Sequence, residues 1–279
     1  MPLVTLAEVL GPAMRLGYAV PGLVCLGWED ARAYTMAAES VRAPVILQAG
    51  PGARAHMPLR VWAAMFRELG HASSVPVVAH LDHGHSPEEC QAGLDAGFTS
   101  VMFDGSRLPL DDNIRKTAQV AAMAHAAGAS CEGEIGFVGY AEGAPSLGTD
   151  PAEAALFAAE TGIDAMAVSV GNVHLQQNTG AGLDLARIHA IKAICPVPLV
   201  IHGGSGVPKP ERSALASASA ISKFNIGTEL RMAFGAALRE AVNREPERFD
   251  RIAILAETHG PASAMAMEIF ATLGAAGRA

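Results

Sequence analysis

Eight short apolar runs, each followed by an alanine-rich helical stretch, set what this chain can fold into. They cover Ala19 to Val24, Pro44 to Gln48, Val77 to His80, Thr99 to Phe103, Ser130 to Glu134, Ala165 to Val170, Pro198 to His202 and Ile221 to Ile226. Short apolar runs bounded by turn residues are expected of strands buried on both faces, as in parallel sheets. The stretches between them carry helix punctuation. Ser86-Pro87 and Asp150-Pro151 each set a capping residue before a first-turn proline, and Glu89 and Glu153 stand where a capping box closes. Asp184 is a weaker start for the segment through Ile194. Gly97, Gly128 and Gly162 fall where helices should end before the next strand.

Eight strand–helix units in 279 residues predict an α/β fold, one (β/α)8 TIM barrel, with residues 1–279 as a single domain. An extra N-terminal helix is expected from Thr5 to about Leu16. After Thr228 a helix runs to about Asn243, and a C-terminal helical tail follows from Arg251 to Leu273. The tail either covers the barrel or packs on another subunit. A doubly wound open sheet is the alternative. It fits less well, because no glycine-rich nucleotide loop follows the first strand.

Half of the residues are hydrophobic and 17 % are charged, which favours a large core over disorder. A net charge of -8, with no basic run, argues against a nucleic-acid surface. No apolar run reaches the roughly 18 residues of a membrane span. The first residues show no leader pattern, so a cytoplasmic location is the expectation. Cys25, Cys90, Cys131 and Cys195 lack CxxC spacing and read as reduced, buried thiols.

The chemistry concentrates in His80-Leu81-Asp82-His83-Gly84-His85, which reads as the loop leaving the third strand. In α/β barrels that end of the strands carries the active site. The other strand ends add Asp104, Glu134, His174, His202 and Asn225. A catalytic zinc takes three protein ligands and keeps one position open, and His83, His174 and His202 fit that requirement from three different strands.

Over nearly its whole length the chain resembles the class II, zinc-dependent ketose-bisphosphate aldolases, the fructose- and tagatose-bisphosphate enzymes. The resemblance rests on His80-Leu81-Asp82-His83-Gly84, Asp104-Gly105-Ser106, Glu132-Gly133-Glu134-Ile135-Gly136, Gly171-Asn172-Val173-His174, His202-Gly203-Gly204-Ser205-Gly206 and Asn225-Ile226-Gly227-Thr228. It implies a barrel that assembles as a homodimer or homotetramer. It also implies reversible cleavage of a ketose or ketose phosphate into a dihydroxyacetone-type donor and an aldehyde through a zinc-stabilised enediolate. By the same resemblance, His83, His174 and His202 hold Zn2+, and a monovalent cation is a further candidate cofactor. Asp82 is the proton donor to the aldehyde oxygen. Asp104 and Glu134 match a second metal position, Asn225 a donor contact, and Gly203, Ser205 and Thr228 the donor-phosphate site.

The departures point to weakened donor-phosphate recognition. Where the family reads His-Gly-x-Tyr-Lys, this chain reads His174-Leu175-Gln176-Gln177-Asn178, without the glycine or the lysine. Val24 and Gly50 stand where an asparagine and a serine are usual, and Gly227 where fructose enzymes often carry aspartate. Arg54, His56 or a partner subunit could compensate. The loop after strand five is short, and Glu142 is its candidate proton-abstracting base or else a solvated loop acid. The expectation is therefore an aldolase preferring an unphosphorylated or smaller donor. The alternatives are an ordinary bisphosphate aldolase using dihydroxyacetone phosphate, a different metal-dependent lyase or isomerase, and a noncatalytic sugar-phosphate-binding barrel. Lys223, inside strand eight, leaves a Schiff-base route open until its direction is known.

Overall fold

The computed structural model describes residues 3–140, 145–176, 182–218 and 220–279. Its centre is a closed parallel barrel of eight strands in chain order. These are β1 (Val20–Val24), β2 (Val45–Ala49), β3 (Val77–Gly84), β4 (Ser100–Phe103), β5 (Ser130–Ile135), β6 (Ala165–Val168), β7 (Leu199–Ile201) and β8 (Lys223–Ile226). Around it run α1 (Leu6–Leu16), α2 (Trp28–Val41), α3 (Pro51–His56), α4 (Leu59–Ala72), α5 (Pro87–Ala96) and α6 (Leu110–Ala126). The second half supplies α7 (Pro151–Thr161), α8 (Leu185–Ile194), α9 (Lys209–Ser217), α10 (Thr228–Arg244), α11 (Arg251–Ala256) and α12 (His259–Thr272). Among the described residues no helix is long and apolar enough to cross a membrane.

The local chemistry explains most boundaries. Thr5 closes a full capping box with Glu8, and Asp150 accepts from Ala152 and Glu153 N–H. Gly97 and Gly162 end their helices in the left-handed region that only glycine enters freely. Ser86 caps α5 as expected, but Glu89 does not close the box. Its carboxylate accepts instead from the His85 N–H and from Arg54. The short helix α3 was not anticipated, although Pro51 at its first position is the usual start signal.

Two additions shape the barrel. α1 closes its N-terminal end: Leu6, Val9, Leu10 and Ala13 are buried, the Val4 N–H donates to Val77 O, and Ala7 N–H donates to Ser130 Oγ. The C-terminal tail is two helices. α12 packs on α2 and α10 of this same chain, burying Ala262, Ala266, Ile269 and Phe270.

β3 runs four residues further than the apolar run suggested, through Gly84. His80 is thus not a loop residue but fully buried inside the barrel, its Nδ1 2.8 Å from Ser100 Oγ. His85 is the exposed member of the stretch. Chemistry is left to Asp82 and His83.

Candidate metal centre

His83 owes its direction to a strained backbone. The β3–β4 register shifts between Leu81 and Gly84, and His83 itself has φ 51°, rare for a residue with a side chain. Arg54 holds this turn. Its guanidinium donates to the backbone oxygens of Ala49 and Asp82 at 2.5 Å each and of His83 at 3.0 Å. Two more N–H groups go to Glu89 Oε1 at 2.7 and 3.2 Å. Arginine has five N–H donors, and all five are committed. With every donor committed, Arg54 is not free to serve as the compensating phosphate cation, one of the possibilities the sequence left open.

His202 follows β7 directly, and His174 lies on the loop after β6. The His174 N–H donates to Gly139 O at 2.8 Å, and the Tyr140 ring stacks on its imidazole at 4.8 Å between centroids. Gly203 (φ 66°) is required where these loops meet, since a Cβ there would stand 2.1 Å from Val173 O. One ligating atom from each of His83, His174 and His202 lies within 4.8 Å of the others. His83, Asp104 and Glu134 form a second such set sharing His83. Both fit a divalent cation. His202 Nδ1 and Glu134 Oε2 are buried 3.7 Å apart, and neither has a hydrogen-bond partner among the described residues. Buried polar atoms are rarely left so, and imidazole with carboxylate is the donor set that zinc and related ions take.

Charge is distributed unevenly around this point. His83 Nδ1 meets Asp104 Oδ2 at 2.8 Å, and Ser106 Oγ donates to Asp104 Oδ1 at 2.6 Å. Burial alone would lower the His83 pKa, but the charge of Asp82 and the bond to Asp104 raise it to about 10. Burial would likewise raise Asp82, yet the neighbouring His83 and His202 hold it at about 2. Glu134, by contrast, is pushed up to about 8, first by burial and then by the Asp104 charge. Asp82 Oδ1 accepts from Asn225 Nδ2 at 3.2 Å.

His83 and His174, with the fully buried His202 behind them, border a cavity of about 410 Å³ at the C-terminal rim, lined also by Asp82, Gly203, Ser205, Asn225 and Thr228. Val24, Gly50, Tyr140, Leu175 and Arg231 also stand in its wall. The sequence-derived site residues therefore converge, except that Glu142 lies outside the described residues. Arg231 was missed. It follows Thr228 by three residues, one helical turn along α10, so the spacing held a signal. Lys223 is excluded as a Schiff-base residue by its position. Its Nζ is buried 2.7 Å from Glu132 Oε2 and does not line the cavity.

A parallel barrel with convergent histidines and carboxylates at its C-terminal rim defines a metal-dependent barrel enzyme. The family model described as fructose-bisphosphate aldolase class-II matches residues 4–278, and this chain belongs to that family of metal-dependent aldolases. It is 37 % identical to a fructose-bisphosphate aldolase of Geobacillus stearothermophilus, the match covering 100 % of this chain and 99 % of the relative. It is 36 % identical to a 6-phospho-5-dehydro-2-deoxy-D-gluconate aldolase of Shouchella clausii, over 100 % of this chain and 97 % of the relative. Among solved structures, the YdjI aldolase of Escherichia coli K12 superposes with TM-score 0.87 at 28 % identity, covering 99 % of both chains.

Proposed function

We propose that this protein is a zinc-dependent aldolase acting reversibly on a phosphorylated ketose, releasing a dihydroxyacetone phosphate-type donor and an aldehyde. The observation that carries this reading is the meeting of His83, His174 and His202, one ligating atom from each, beside the ionised Asp82 at the floor of the cavity that His83, His174 and Asp82 line. The three histidines would hold the ion, with Asp104 and Glu134 around its alternative position. When bound, zinc supplies Lewis-acid polarisation of the donor's oxygens, offsetting the charge that builds when the carbon–carbon bond breaks.

The residues of the chain handle protons and position. Asp82, a carboxylate at neutral pH, suits removal of the hydroxyl proton from the carbon that becomes the aldehyde. In the addition direction it returns that proton to the aldehyde oxygen. Asn225 orients Asp82 through Nδ2, while its own Oδ1 is buried without a partner among the described residues. Glu142 is the proposed group that exchanges the donor's carbon-bound proton. Slower donor proton exchange in Glu142→Ala, with donor binding retained, tests that role.

The donor phosphate is assigned to Gly203, Ser205, Thr228 and Arg231. Ser205 Oγ accepts from the N–H groups of Gly227 and Glu229 at 3.3 and 3.4 Å, so its proton is free to donate into the cavity. Arg231 supplies a cation that the loop after β6 lacks. This favours the phosphorylated donor, as do the names of the relatives, over the weakened recognition expected from the sequence. The second reading, an unphosphorylated donor, keeps support from Val24, Gly50 and Leu175, which offer no polar side-chain group to the cavity. The deciding measurement is kcat/KM for a ketose bisphosphate, a monophosphate and the free ketose on one zinc-loaded sample. A 100-fold preference for a phosphorylated ketose is expected. Equal values would favour the second reading, and no cleavage of any would defeat both.

A further inference from the structure

Glu132 and Lys223 are both fully buried in the barrel interior, on β5 and β8, and neither touches the cavity. Two charged groups in such a place are costly unless they serve each other and something else. Lys223 Nζ donates to Glu132 Oε2 at 2.7 Å. The other oxygen, Oε1, lies 3.1 Å from His202 Nε2. A carboxylate is acceptor only, so Nε2 must carry a hydrogen to complete that contact. The neutral ring has one N–H, which leaves Nδ1 as the lone pair, and Nδ1 is the atom turned toward Glu134, 3.7 Å from its Oε2. The main chain at His202 is held as well, because Asn172 Nδ2 donates to the His202 backbone carbonyl at 3.0 Å.

We propose that Lys223 and Glu132 are a positioning pair for His202. Lys223 holds the Glu132 carboxylate in place, and Glu132 holds His202 in the Nε2–H tautomer with Nδ1 presented to the cation site. The inference rests on the reading that this cluster binds a divalent cation. It assigns a role to Lys223, the one lysine that a covalent mechanism would have claimed, and to Glu132, which neither cavity nor cluster includes. A carboxylate behind a ligating imidazole fixes its orientation, and loss of such a partner commonly weakens metal binding 10- to 100-fold.

The test has two parts. Nitrogen-15 NMR of histidine-labelled, metal-free protein, with His202 assigned by difference from His202→Asn, reports the tautomer directly. The Nε2–H form is expected in the wild type, and a dominant Nδ1–H form would overturn the proposal without any core variant having to fold. Zinc affinity is then measured by competition with a chromogenic chelator for wild type, Glu132→Gln and Lys223→Met. The double variant Glu132→Leu/Lys223→Met serves if the single ones do not fold. A 10- to 100-fold loss with the barrel's circular dichroism retained is expected. Affinities within threefold of wild type would sink the proposal while leaving the metal site standing. A wild type that binds no zinc would sink the underlying reading instead.

Discussion

Replacing Arg54 with methionine should separate the backbone brace from the chemistry it supports. The methionine keeps much of the apolar stem and removes all five donors. Three of them serve the backbone oxygens of Ala49, Asp82 and His83, at the C-terminal ends of β2 and β3. A buried carbonyl that loses its partner costs about 1–3 kcal/mol. The bond to the half-buried Glu89 adds little, since such pairs contribute about 0–1 kcal/mol. Three carbonyls near the low end give a loss of roughly 3–4 kcal/mol in the metal-free protein. It would be read as a lower urea midpoint converted with the wild-type slope. The effect on metal binding follows from His83. Its left-handed backbone stores about 1–2 kcal/mol that Arg54 keeps from relaxing. If that turn relaxes, zinc affinity should fall about tenfold. Arg54→Lys should not rescue, because one ammonium cannot reproduce the planar fork. An unchanged midpoint would refute the carbonyl argument. A lowered midpoint with unchanged zinc affinity would show that Arg54 braces the rim without setting His83.

Three further variants carry expected outcomes. Asp82→Ala should lower turnover about 10²- to 10⁴-fold while zinc content stays at the wild-type level; near-normal kcat would remove Asp82 from the proton transfer. Leu175 also has φ > 0 (58°), so Leu175→Gly should raise the unfolding midpoint by an amount corresponding to about 1 kcal/mol. The same variant should lower KM for a phosphorylated ketose more than for a free one, and a KM change equal for both would refute the pocket argument. Burial first, and the Lys223 charge next, hold His80 down at about 3, below its unfolded value of 6.5. The unfolded chain therefore takes up this proton first, and the contribution, complete above pH 6.5, is lost as pH falls toward 3. His80→Gln should flatten the acid side of the stability curve by up to about 1.4 kcal/mol per pH unit, measured as urea midpoints at pH 7, 6 and 5.

By itself the sequence determined the barrel, because apolar runs and caps are local signals that repeat with the βα period. Each strand lies within two residues of its predicted start, and Thr5, Ser86 and Asp150 cap where they should. It also named His83, His174 and His202, since a barrel sends every strand end to one rim, whatever the separation in the chain. Tertiary structure alone decided which way individual groups face. A two-residue period cannot say that β3 continues past its apolar run and bulges at Asp82-His83, and so it could not take His80 out of the site. Nor could it show that Arg54 spends three donors on the carbonyls of Ala49, Asp82 and His83 and two on Glu89, while Arg231, one turn along α10, reaches the cavity. Lys223 looked the same on paper as a Schiff-base lysine. Only barrel closure, which sets β8 across from β5, puts its ammonium on Glu132 and gives the carboxylate behind His202 a partner.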